Sequence, residues 1–318
     1  MKNFAITGVA GYIAPRHLEA IHKTGNRLIA AVDPHDSVGI LDSYSDAVSF
    51  FTEIERFDRH LETLRRTSSD LHLDFLSVCS PNYLHDAHIR LALRLGADAI
   101  CEKPLVANPW HLDFLGELEA ESGKRVYTIL QVRLHPSIIE LKAKLQEQKL
   151  DKKYELVLSY ITARGPWYYY SWKGDVSKSG GLGTNIGIHF FDMLIWLFGS
   201  VERSSIHLSE PNKMAGLLEL KNANVRWFLS TDRNDLPAEA VKSGKPSFRS
   251  ITINDDEIDF NQGFTDLHVK SYKEILQGNG FTMEDARPSI ELVSDIRNAP
   301  VASKIEYIHP FVEIALSR

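Results

Sequence analysis

The sequence predicts an α/β chain: a doubly wound parallel sheet over residues 1–130, then an α+β region over residues 131–318 built on an open, mostly antiparallel sheet. Two observations predict this. In the first part, short continuous apolar runs alternate with stretches of helical periodicity, which is the pattern of strands buried on both faces by crossover helices. In the second part, strand-like runs follow one another with few helices between them, the pattern of an antiparallel sheet.

The elements follow in order. Phe4–Thr7 is an apolar run that ends in glycine, and helical periodicity then places Leu18, Ile21 and His22 on one side, with Gly25-Asn26 as the stop. Leu28–Val32 ends at Asp33-Pro34, and Phe75–Cys79 ends at Ser80-Pro81-Asn82. A helix through Ile89, Ala92 and Leu95 leads to Ala97–Cys101, which ends at Glu102-Lys103-Pro104. A further helix through Leu118 precedes a strand from Val126 to Leu130. In the second part, a polar helix (138–148) precedes strands near 154–163, 204–208, 215–220, 225–230 and 250–253, with helices near 185–198, 264–277 and 283–298.

Parallel sheets collect ligands at the carboxyl ends of their strands, and the polar clusters of this sequence fall there. Gly8-x-x-Gly11-x-x-Ala14 is one residue longer in its turn than the usual G-x-G-x-x-G/A of a Rossmann dinucleotide fold. Its small residues suit either close approach of the backbone to a pyrophosphate, with the helix N-terminus offering its N–H groups, or a plain strand–helix turn. Asp33, 25 residues after Gly8 at the end of the second strand, favours the nucleotide. A carboxylate there accepts from ribose hydroxyls and repels a 2′-phosphate, so NAD is expected over NADP; the alternative is a turn former before Pro34. Lys103 leaves a strand end, where it is either a surface lysine or a proton-transfer group. Asn185 and His189 are spaced to share one helix face, with Asp192 three residues on to orient the imidazole; His189 alone would read as a core histidine.

Composition limits the alternatives. The 318 residues include 36 Lys+Arg and 42 Asp+Glu, a net charge of −6, which lacks the excess of positive charge behind non-specific nucleic-acid binding. No uninterrupted apolar run reaches the ~20 residues of a membrane span, so no membrane partner is expected and the cytoplasm is the default location. Two cysteines cannot build a disulfide framework. Of thirteen histidines, only His85 and His88 form a tight pair, without the spacing of a zinc site, so no metal is expected. His85 is read as bordering the nicotinamide or capping its helix.

In combination, the Gly-rich turn, Ser80-Pro81-Asn82-Tyr83-Leu84-His85, Glu102-Lys103-Pro104, and the Gly180–Asp192 stretch ending in His189-x-x-Asp192 resemble the Gfo/Idh/MocA oxidoreductase family over most of the chain. The resemblance implies an N-terminal Rossmann domain and a C-terminal domain whose open sheet mediates oligomerisation, here expected to give a tetramer. It implies Lys103 and His189 as catalytic residues, with Asn185 at a position where the family usually has aspartate. For the cofactor it implies Gly8, Gly11, Tyr12, Ile13, Asp33, Ser80, Asn82, His85, Glu102, Lys103 and Gln131.

Within the family, Gly11–His17, Trp167-Tyr168, Ser171–Asp175, Thr184–Gly187 and Gly263–His268 are similar to members that oxidise the C3 hydroxyl of UDP-N-acetyl-2-amino-2-deoxy-D-glucuronate, a step toward diacetamido-uronic acids of bacterial O-antigen. Some of those members regenerate NAD with 2-oxoglutarate. A UDP-sugar acid carries a diphosphate and a carboxylate. Arg164, Lys173 and Arg233 are expected to meet them, with Trp172 beside the uracil or sugar and Lys103, Asn185 and His189 at the reacting hydroxyl. An inositol or aldose dehydrogenase would need fewer cations, and a nucleotide-sensing regulator would have no use for Lys103 and His189.

Overall fold

The computed structural model describes residues 1–318 except 45–46, 69, 148–151, 259–264 and 317–318, and the side chains of 314–316. Gln148, Gly263 and Phe264 of the sequence expectations therefore lie outside the described residues. The chain forms two units, Met1–Leu134 with Thr265–Arg287, and His135–Phe264 with Pro288–Arg318. The segment 265–287, expected with the second part of the chain, is grouped with the first unit.

The first unit holds strands β1 (Asn3–Thr7), β2 (Arg27–Val32), β3 (Ser49–Phe51), β4 (Phe75–Val78), β5 (Asp98–Cys101) and β6 (Val126–Thr128). They run in the order β3-β2-β1-β4-β5-β6, every pair parallel. The order reverses at β1, whose neighbours are β2 and β4, and a doubly wound sheet opens its ligand crevice at the carboxyl ends there. Helices α1 (Ala14–Lys23), α2 (Ile54–Thr67), α3 (His85–Arg94) and α4 (Trp110–Ser122) are its crossovers. In α1 the buried face is Ala14, His17, Leu18 and Ile21; His22, expected inside, is exposed, because the 3.6-residue period carries it round to solvent.

The second unit begins with α5 (Pro136–Glu147) and β7 (Tyr154–Thr162), followed by the short helices α6 (Pro166–Tyr170) and α7 (Val176–Ser179), then α8 (Ile188–Phe198). Strands β8 (Val201–Ser209), β9 (Lys213–Leu220) and β10 (Ala223–Ser230), helix α9 (Ala238–Lys242), and strands β11 (Ser247–Ile253) and β12 (Asp256–Glu257) come next. The sheet order is β12-β11-β7-β10-β9-β8, antiparallel except for the β7–β10 pair. On one face α8 packs with Phe191 edge-on to the fully buried Trp227, ring centroids 5.3 Å apart. On the other, Phe228 stacks with His309 and Phe311, and Val312 closes the cluster.

The last helices are α10 (Leu267–Leu276), α11 (Met283–Asn298) and α12 (Pro310–Leu316). Helix α10 lies against α1 in the first unit, its Val269, Tyr272 and Ile275 sharing a core with Leu18 and Ile21. Arg133 secures the same return segment: its guanidinium donates to the Asp285 carbonyl at 2.8 Å and stands over the Phe281 ring. The span 176–198 is long and apolar enough to cross a membrane, but 72% of its apolar window is buried within the fold.

Candidate active site

The nucleotide half of the site is built by the first unit. Gly8 has φ +74°, and a Cβ there would lie 2.5 Å from the Cys79 carbonyl oxygen, so the end of β1 can meet the end of β4 only without a side chain. At the start of α1, Ile13 provides no side-chain cap, and the main-chain N–H groups of Tyr12 and Ile13 have no acceptor among the described residues. Such unpartnered amides at a helix start suit a pyrophosphate. Asp33 is buried; its Oδ2 accepts from the Ala10 amide at 3.1 Å and its Oδ1 from the His35 amide at 2.9 Å. Two of its lone pairs are therefore fixed and the others remain for ribose hydroxyls. Just beyond β6, the buried Gln131 Oε1 has no hydrogen-bond partner among the described residues, an acceptor that a bound carboxamide would satisfy. These residues fit a dinucleotide. The Tyr12 side chain is exposed, so its contribution is the backbone.

The Ser80 and Lys103 loops are held from beneath. The buried His85 ring bridges the Ser80 and Pro104 carbonyls at 2.8 and 2.7 Å, joining the ends of β4 and β5 rather than merely capping α3. The Ser80 hydroxyl contacts His88 Nδ1 at 2.8 Å, and burial with the neighbouring His85 pushes the His88 pKa down to about 4. Asn82 is buried in the turn between them, and Lys103 is half-buried.

Glu102 is fully buried, and its side chain points inward. Its Oε1 meets His17 Nε2 at 3.0 Å and His268 Nε2 at 2.9 Å, while its Oε2 accepts from the Lys103 amide at 3.2 Å. His17 Nδ1 contacts the Tyr272 hydroxyl at 2.7 Å, and that hydroxyl contacts Ser77 Oγ at 2.7 Å. Burial opposes ionisation of Glu102, but the His17 and His268 hydrogen bonds hold its carboxyl well below the usual range. Burial pushes the His17 pKa down, so the ring is neutral at neutral pH. The sequence expectation for Glu102 concerned the cofactor; the histidine cluster was not anticipated, although His17 and His268 both stand in the motifs that carried the resemblance.

In the second unit, Asn185 lies in a π-helical turn, Gly183–Gly187, that leads into α8, not in the α-helix expected from 185. Gly187 permits the turn: a Cβ there would lie 2.7 Å from Leu229 and 2.8 Å from the Phe191 ring. The Asn185 side chain donates to the buried Tyr168 hydroxyl at 2.9 Å, a partner missed from sequence. Burial raises the Tyr168 pKa, so the hydroxyl stays protonated. His189, in the first turn of α8, is half-buried, and Asp192 is buried.

Lys173 is half-buried against aromatic rings, its ammonium 4.5 Å from the Trp172 centroid and 5.9 Å from that of Trp167. Burial lowers its pKa, and the Arg164 charge lowers it further. Arg164 and Arg233 are exposed. Among the described residues none of these three cations forms an ion pair, so each is available to an anion.

Residues 2–130 match the Gfo/Idh/MocA oxidoreductase family, NAD-binding Rossmann fold, and residues 142–235 match that family's C-terminal alpha/beta domain. The chain belongs to the Gfo/Idh/MocA family. That family is an oxidoreductase family whose N-terminal domain is an NAD-binding Rossmann fold. Among solved members, it is 48% identical to the WlbA (WbpB) dehydrogenase of Thermus thermophilus, solved with NAD and alpha-ketoglutarate, with a TM-score of 0.94 over 98% of this chain and 100% of that one. A second structure of the same enzyme, with NAD and UDP-GlcNAcA, gives 48% identity, the same coverage and a TM-score of 0.93. The D-glucoside 3-dehydrogenase of Escherichia coli K12 is 25% identical over 44% of this chain and 40% of that protein. The chain spans 30 to 55% of the length of the curated relatives it matches.

Proposed function

We propose that this protein oxidises the C3 hydroxyl of UDP-N-acetyl-2-amino-2-deoxy-D-glucuronate to the 3-keto sugar. The observation that carries the proposal is the full-length likeness, at 48% identity, to a dehydrogenase solved both with UDP-GlcNAcA and with alpha-ketoglutarate. Three cations of the second unit that form no ion pair among the described residues support it, since a neutral sugar would leave Arg164, Lys173 and Arg233 without counter-charge. When bound, NAD supplies the hydride acceptor. The chain's own residues do the rest. The amides at Tyr12 and Ile13 and the Asp33 carboxylate hold the dinucleotide, and Gln131, Ser80, Asn82 and His85 frame its nicotinamide end. One of Lys103 and His189 takes the hydroxyl proton as the C3–H hydride leaves for NAD, and the other donates a hydrogen bond that stabilises the alkoxide-like charge developing on oxygen. Asn185, tied to Tyr168, supplies a neutral hydrogen bond where a carboxylate would add charge. Arg164 and Lys173 take the acidic groups, and Trp172 borders the sugar or uracil.

The reading extends to 2-oxoglutarate as the oxidant that regenerates NAD, to a cytoplasmic homotetramer, and to a place in O-antigen sugar synthesis. The test is anaerobic incubation with the UDP-sugar acid and NAD, with and without 2-oxoglutarate, and mass spectrometry of the products. A UDP-sugar two mass units lighter, with 2-hydroxyglutarate formed in equal amount, is the expected result. Oxidation of a neutral sugar or inositol in preference would overturn the substrate assignment.

A further inference from the structure

The carboxylate of Glu102 joins three parts of the first unit. One oxygen takes both His17, on the helix that starts at the glycine turn, and His268, on the helix of the returning segment. The other takes the main-chain amide of Lys103. On the His17 side the hydrogen bonds form a continuous chain with a neutral ring. Each imidazole donates Nε2–H to the carboxylate, Tyr272 donates to His17 Nδ1, and Ser77 donates to Tyr272. These buried bonds hold one geometry, because each displaced donor would remain buried without an acceptor. The same three residues place ligating atoms within 4.8 Å of one another, a spacing that a divalent cation would also accept. The hydrogen-bond complement favours the metal-free form, since the Tyr272 and Lys103 contacts fit a carboxylate held by two N–H donors.

We infer that Glu102, clamped by His17 and His268, is a positioning residue that fixes the Lys103 backbone and so sets where its amine stands during proton transfer. This rests on Lys103 acting in that step, as proposed above. Glu102→Gln separates the roles. Its amide oxygen can still serve the two histidines, but an NH2 then faces the Lys103 N–H, donor against donor. The second pair is His268→Gln, whose amide nitrogen stands near the place of Nε2, and His268→Leu, which removes the donor while filling the space.

The experiment measures kcat, sugar KM and NAD affinity by fluorescence titration for these variants, with Lys103→Met alone and combined with Glu102→Gln. Glu102→Gln is expected to lower kcat by about 10²-fold, the scale of a misplaced reacting group, with KM and NAD affinity little changed. In the Lys103→Met background the same substitution should have little further effect on kcat. His268→Gln should retain most of the activity that His268→Leu loses. If Glu102→Gln does not fold, the His268 pair decides. A loss in kcat that multiplies undiminished onto Lys103→Met, or a His268→Leu variant that is less heat-stable but fully active, overturns the inference. Stoichiometric zinc in the purified protein, with activity lost on chelation, overturns it in favour of a metal site. If Lys103→Met alone keeps normal kcat, the assignment of Lys103 fails first and the inference falls with it.

Discussion

His309 should make the fold acid-labile, and the amount follows from its contacts. Its ring forms a three-membered cluster with Phe228 and Phe311, near-parallel to both; Nε2 pairs with the Ser159 hydroxyl at 3.1 Å, and Nδ1 accepts from the Phe311 amide at 3.1 Å. Protonating Nδ1 would set a donor against that amide. Burial, followed by the charge of Arg226, pushes the pKa from 6.5 down to about 3. The folded value lies below the unfolded one, so the stabilisation is present above pH 6.5 and is lost as pH falls toward 3. At about 1.4 kcal/mol per pH unit, the loss from this one residue between pH 7 and pH 5 is about 2 kcal/mol. His309→Phe keeps the stack and cannot titrate. It should cost about 1–3 kcal/mol at pH 7 for the unpaired Ser159 and Phe311 groups, and then lose about 2 kcal/mol less than the parent on going to pH 5. Urea unfolding at the two pH values measures both. Equal losses in parent and variant would refute the reasoning.

Three further outcomes are expected. Lys103→Ala and His189→Ala should each lower kcat by ~10²–10⁴-fold, the double variant losing less than the product of the two, in steady-state assays of the UDP-sugar acid. Asp33→Ala should erode the preference for NAD over NADP, read as the ratio of kcat/KM values; an unchanged ratio would remove Asp33 from the ribose site. Gly8→Ala forces a left-handed alanine, costing about 1–2 kcal/mol, and pushes β1 from β4; calorimetry should show a lower Tm and titration at least about tenfold weaker NAD binding.

Much of the nucleotide half was legible because its signals are local. An apolar run that ends in Gly8, Asp33 or Ser80 announces a buried strand and the polar end where a ligand sits. What was not legible depends on distance along the chain. His17 and His268 meet at Glu102 across 85 and 166 residues, and nothing in either local pattern distinguishes them from ordinary helix histidines. The return of 265–287 to the first unit was hidden for the same reason, since it rests on α10 packing against α1. Helix α2 and strand β3 escaped notice because α2 buries only Phe57 and Leu61 among many charges and β3 is a half-buried edge. The π turn at Asn185 comes from the fit of Gly187 against Leu229 and Phe191, a tertiary contact that i, i+4 spacing does not encode.

The central claim is that hydride leaves C3 of a UDP-sugar acid for a nicotinamide held by the first unit. A single turnover of the holoenzyme with UDP-N-acetyl-2-amino-2-deoxy-D-glucuronate deuterated at C3 tests it directly, by mass spectrometry of the nucleotide released on denaturation. One deuterium in the reduced nicotinamide, matched by a 3-keto sugar that has lost its label, is the predicted result. Reduced nucleotide without deuterium, or a sugar that keeps its label at C3, would contradict it.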